Sequence, residues 1–150
     1  MATISKILVL AHERGRQKGL SYRGELTPAE SYELLQHAPG ARLVDVRTGA
    51  ELHYVGRIPG AVEIEWEGFP DGKRNPDFVQ QLRREVSPES LVMFICRSGN
   101  RSHHAAAAAA AGGYAEAYNV VEGFEGKKDA NEHRNTLSGW RAAGLPWVQT

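Results

Sequence analysis

The chain has 150 residues, enough for one domain with a real core, and its 18 basic residues balance 18 acidic ones. That balance advertises neither nucleic acid nor an anionic membrane as a partner. A single cysteine excludes an internal disulfide and points to a reducing compartment, so the expected location is cytoplasmic.

The first residues are apolar only over Ile7 to Ala11, interrupted before by Lys6 and followed by His12-Glu13-Arg14. That run is short for a signal-peptide core and far too short to span a bilayer. Residues 3 to 18 predict a helix with Ile4, Ile7, Leu8 and Ala11 on one side and Gly19 as its stop. Such spacing is mostly a core signal. We expect residues 1–24 to form a helical extension packed on a domain of residues 25–150.

Thr27-Pro28-Ala29-Glu30 predicts a helix start, with Thr27 as cap, Pro28 in the first position and Glu30 completing a capping box. This helix runs to about His37, before Pro39-Gly40. Ala41 to Val46 reads as a buried strand, Thr48 to Tyr54 as a helical turn, and Gly56 to Ala61 as a link into a strand at Val62 to Ile64. Residues 66–73 read as loop. Asn75 and Pro76 open a helix that reaches about Val86. Leu91 to Ile95 is continuously apolar, as suits a central strand of a parallel sheet. Ser102 is the expected N-cap of an alanine helix that Gly112-Gly113 ends. That glycine pair also keeps the alanine run too short for a membrane segment. A strand at Ala117 to Val121 and a short helix at Ser138 to Ala143 follow. Alternating strands and helices give the class α/β with a mostly parallel sheet.

Chemistry concentrates at Cys96-Arg97-Ser98-Gly99-Asn100-Arg101-Ser102. Ligands of open α/β sheets bind beyond the carboxyl ends of strands. Cys96 stands at such an end, before a helix whose positive pole favours anions. Gly99 and Asn100 tolerate positive φ, so the loop can turn several N–H groups inward. Arg97 and Arg101 add positive charge. This is a setting for a reactive thiolate and an anionic substrate. The alternative is a buried structural cysteine, which is what a free cysteine usually is.

Other cysteine chemistries fit less well. A papain-like hydrolase needs a base, and His103 and His104 fall in a first helical turn that disfavours imidazolium. A thioredoxin-like pair needs a second cysteine. A zinc site has only weak scope in His12, His53 and His133. Cysteine phosphatases set an arginine seventh in a loop that begins with cysteine. Here Arg101 is sixth and Ser102 seventh. The tighter loop suits a single sulfur atom better than a tetrahedral oxyanion.

Several ordered motifs resemble the rhodanese-type sulfurtransferases, in particular a single-domain bacterial type. They are Leu43-Val44-Asp45-Val46-Arg47, then Glu51, Gly56-Arg57-Ile58-Pro59-Gly60-Ala61, the Cys96 to Ser102 loop, and Gly139-Trp140-Arg141-Ala142-Ala143-Gly144-Leu145-Pro146. The resemblance spans about residues 25–150. It implies a rhodanese-like α/β fold, a central and mostly parallel five-stranded sheet flanked by helices on both faces. It implies that Cys96 carries sulfane sulfur as a persulfide, cradled by Arg97, Ser98, Gly99, Asn100, Arg101 and Ser102. The implied donor is thiosulfate or a relative, the acceptor cyanide or a thiol, and no metal or organic cofactor is needed. A dedicated protein donor or acceptor would make the chain a persulfide carrier. Phosphatase or arsenate reductase activity is the more distant alternative. Asp45 and Arg47 match the family's Asp-Val-Arg signature and read as a buried pair fixing a strand end, with Glu51 a candidate partner for Arg47. The sequence departs from the family at Arg57, where histidine is frequent, and at a polar insert, Lys127 to Ser138, which we expect to border the active-site mouth or a partner surface.

Overall fold

The computed structural model describes residues 2–149. Its elements are α1 (Ala2–Lys18), β1 (Gly24–Leu26), α2 (Pro28–His37), β2 (Arg42–Asp45), α3 (Gly49–Tyr54), β3 (Val62–Glu63), α4 (Phe78–Glu85), β4 (Val92–Ile95), α5 (Asn100–Ala111) and β5 (Ala117–Val120). The strands form one sheet in the order β1-β5-β4-β2-β3, and every pairing is parallel. Parallel neighbours require crossovers, and the intervening helices supply them.

β4 is the central strand, hydrogen-bonded to β2 on one side and β5 on the other, with all four residues buried. Its side chains alternate between two core layers. Val92 and Phe94 enter the layer formed with Phe78 and Leu82 of α4 and the alanines of α5. Met93 and Ile95 enter the layer formed with Ile7 and Ala11 of α1 and Leu34 of α2. Cys96 continues the alternation one residue past the strand and so falls on the α5 side. Ala105, Ala106 and Ala109 are fully buried. Their small side chains let α5 lie close on β4 and β5.

The capping box at α2 is complete: Thr27 Oγ1 accepts from Glu30 N–H, and Glu30 Oε1 accepts from Thr27 N–H. Thr48 and Glu51 repeat the device, which turns the expected helical turn into α3. β1 is absent from the sequence expectations. It pairs with β5 at the sheet edge, and its first residue must be glycine, because a Cβ on Gly24 would sit 2.1 Å from the Ala11 carbonyl oxygen. α1 thus packs directly against a strand of the sheet.

Three expectations differ from the structure by more than a residue. α5 begins at Asn100, and its N-cap is Gly99 with φ 104° rather than Ser102. α4 begins at Phe78, while Asn75 Oδ1 accepts the Asp77 N–H just before it. Residues 138–143 form successive turns, joined by one Ala143 N–H to Gly139 O bond, instead of a helix. Among the described residues no helix is long and apolar enough to cross a membrane.

Candidate active site

Cys96 is 1% exposed, at the carboxyl end of the central strand. Its Sγ accepts a hydrogen bond from the Gly99 N–H at 3.1 Å and lies 3.2 Å from Ser102 Oγ. The left-handed φ of Gly99 turns the chain out of the loop and into α5. Ser102, fully buried in the first turn of α5, is therefore a wall of the sulfur site and not a helix cap. Arg97 and Ser98 face solvent, and Asn100 opens the helix.

The segment after β5 braces this loop from behind. Cys96 O accepts from Phe124 N–H at 2.8 Å, and Arg97 O accepts from Glu125 N–H at 2.9 Å. Gly123, with φ 65°, touches the same backbone: a Cβ there would stand 2.5 Å from Arg97 O.

Asn119 on β5 is a site residue that the sequence did not reveal. It is 3% exposed. Its Oδ1 accepts from Ser102 Oγ–H at 2.6 Å, and its Nδ2 donates to Gly99 O at 3.2 Å. Asparagine inside a strand carries no motif of its own; only the β4–β5 pairing brings it beneath the loop.

Arg101 makes a bidentate pair with Glu51 at 2.7 and 2.9 Å. Burial alone would raise the Glu51 pKa. The bonds from Arg101 and from Thr48 outweigh it and pull the value down to about 2. Glu51 is thus the partner of Arg101, not of Arg47 as expected. Its place in the α3 capping box points it away from β2 and towards the cysteine loop. Arg47 instead pairs with Asp45 at 2.8 Å, both side chains fully buried. It also donates to Gly56 O, and its guanidinium lies 4.1 Å from the Phe124 ring centroid. This pair ties the end of β2 to the following turn.

A cavity of about 480 Å³ opens beside the loop, bounded by Thr48, Glu51, Glu67, Phe69, Arg97, Arg101 and Glu125 among others. Phe69 is 71% exposed at its rim. Glu125, two residues before the polar insert, lines this cavity, whereas no residue of the insert does. The insert folds on Asp129, whose carboxylate accepts from the Asn131 and His133 N–H groups and from Thr136 Oγ1.

The other cysteine chemistries find no support in this geometry. His103 Nδ1 is bonded to Tyr22 Oη at 2.6 Å. His12 Nε2 is bonded to Tyr118 Oη. Among the described residues no cluster of His, Cys, Asp and Glu could hold a metal ion. Arg101, the one arginine near a phosphatase position, has the edge formed by its two terminal nitrogens committed to Glu51.

The Rhodanese-like domain family matches residues 27–130. An uncharacterized protein of Rickettsia conorii is 35% identical over 120 residues, which cover 79% of this chain and 91% of that protein. The thiosulfate sulfurtransferase GlpE of Actinobacillus succinogenes is 29% identical over 81% of this chain and 87% of its own. The crystal structure of Rv0390 from M. tuberculosis superposes with a TM-score of 0.79 at 44% identity, covering 86% of this chain and 99% of that one.

Proposed function

Because the chain belongs to the Rhodanese-like domain family, we propose that it is a sulfurtransferase carrying sulfane sulfur on Cys96. The observation that carries this reading is the setting of Sγ, held between the Gly99 amide and the Ser102 hydroxyl at the start of α5. A sulfur anion there meets an N–H donor, an O–H donor and the positive end of a helix.

In the first half-reaction the Cys96 thiolate attacks the outer sulfur of thiosulfate or a related donor. The Sγ–S bond forms, the donor S–S bond breaks, and sulfite leaves with the electron pair. In the second, cyanide or a thiolate attacks the outer sulfur, and Sγ leaves as thiolate. One hard transfer becomes two easier ones. Arg97, Ser98, Gly99, Asn100, Arg101 and Ser102 form the cradle, with Arg101 held in place by Glu51. Asp45 and Arg47 support the strand end from which the loop departs.

Intact-mass measurement after incubation with thiosulfate tests this reading. A gain of one sulfur atom, ~32 Da, is expected and should vanish in Cys96→Ala. No gain with thiosulfate or with an organic persulfide would end it. The exposed Phe69 at the mouth favours a second reading, a carrier that exchanges sulfur with a protein partner. Faster loading from a protein-bound persulfide than from free thiosulfate would select it.

A further inference from the structure

Both groups that touch the Cys96 sulfur are held by one side chain, and that side chain is Asn119. Its Nδ2 grips the carbonyl of Gly99, whose own N–H points at Sγ, and its Oδ1 takes the proton of the Ser102 hydroxyl. The orientation of the amide is determined. A carbonyl oxygen has no proton, so the atom facing Gly99 O must be the NH2 group, and Oδ1 must face Ser102.

Ser102 has a single hydroxyl proton and two neighbours that want it. Oδ1 can only accept. When the sulfur is a thiol, S–H donates to Ser102 Oγ while Oγ–H donates to Asn119 Oδ1, a chain running in one direction. When the sulfur is a thiolate, the hydroxyl must turn to it, and Oδ1 loses its donor. When the sulfur is a persulfide, the charge has moved to the outer atom. Sγ is then neutral, and the hydroxyl returns to Asn119.

We propose that Asn119 is a positioning residue that biases Cys96 towards the sulfur-loaded state. The inference rests on the persulfide reading above. By competing for the Ser102 proton, Asn119 leaves the thiolate less satisfied than the persulfide. The bias is relieved as charge leaves Sγ in the loading step. An interaction that strengthens as the reaction proceeds accelerates that step. The same competition slows the discharge step, in which charge returns to Sγ.

The two half-reactions therefore respond with opposite signs. In Asn119→Leu the Ser102 hydroxyl donates to the thiolate without competition. Starting from the ionised sulfur, loading from thiosulfate should slow about 3- to 10-fold, and discharge to cyanide should speed up by a similar factor, the scale of one net hydrogen bond. Both rates come from single-turnover experiments read by intact mass. In a Ser102→Ala background the substitution at Asn119 should no longer split the two rates. Asn119→Ala, which also removes the acceptor but leaves room, must show the same sign pattern.

Wild-type protein that never gains sulfur overturns the sulfurtransferase reading itself. Wild-type protein that loads, with Asn119 variants that slow both steps alike, leaves that reading standing and overturns this one. Persistence of the split after removal of the Ser102 hydroxyl overturns it as well.

Discussion

Replacing Glu51 by glutamine removes a charge while keeping a side chain that can still close the α3 capping box. The carboxylate has a pKa of about 2 in the folded protein against an ordinary 4.5. The full difference would amount to ~3 kcal/mol at neutral pH. The pair is partly open to water, with 16% and 19% of the two side chains exposed, so we expect about 1–2 kcal/mol. The folded pKa is depressed, so this stability is fully present above about pH 4.5 and fades as pH falls towards 2. Urea titrations of wild type and Glu51→Gln at pH 7 and pH 3 measure it. The variant should lose about 1–2 kcal/mol at pH 7 and less than half of that at pH 3. An equal loss at both values, or none at pH 7, would refute the electrostatic account of the Glu51–Arg101 clamp.

Two other outcomes follow from the same geometry. Gly123→Ala sets a methyl against the Cys96 and Arg97 carbonyls in a left-handed conformation; it should cost at least ~2 kcal/mol in denaturant titration and impair sulfur loading, whereas wild-type stability would show that the loop is not braced there. With Glu51 and Arg101 neutralising each other, Glu67 and Glu125 oppose a dianion at the mouth more than Arg97 attracts it. Glu67→Gln combined with Glu125→Gln should raise kcat/KM for thiosulfate about 2- to 5-fold, for charges about one Debye length (~8 Å) from the substrate. The gain should shrink in high salt, and a gain indifferent to salt would count against it.

The parts of the fold that a reader of the sequence could see are those set by local chemistry. Thr27, Pro28 and Glu30 announce α2, because a cap and its reciprocal partner lie within four residues. The apolar run before Cys96 announces a central strand, because burial on both faces leaves no polar position. β1 was invisible: Gly24-Glu25-Leu26 has neither alternation nor β-branched residues. Its strand character comes from β5 and from the helix that crosses it at Ala11.

The site divides in the same way. Cys96 and its loop were legible because their residue types and order carry the chemistry. The partner of Glu51 was not, since Arg47 and Arg101 are both plausible from spacing, and the choice is made by where α3 aims its first turn. Ser102 fits the N-cap pattern, yet Gly99 takes that place because its backbone can adopt a left-handed φ. Asn119 gave no signal, because its meaning arises only from register: it lies beside Phe94, two residues before the cysteine on the neighbouring strand.

That register has a consequence for how the protein is made. The amide under the cysteine loop and the backbone that braces it belong to β5 and the turn after it. Both leave the ribosome after the thiol they organise. A nascent chain stopped short of Ala117 lacks both supports, so the cysteine loop is braced only once β5 and the turn behind it have been made.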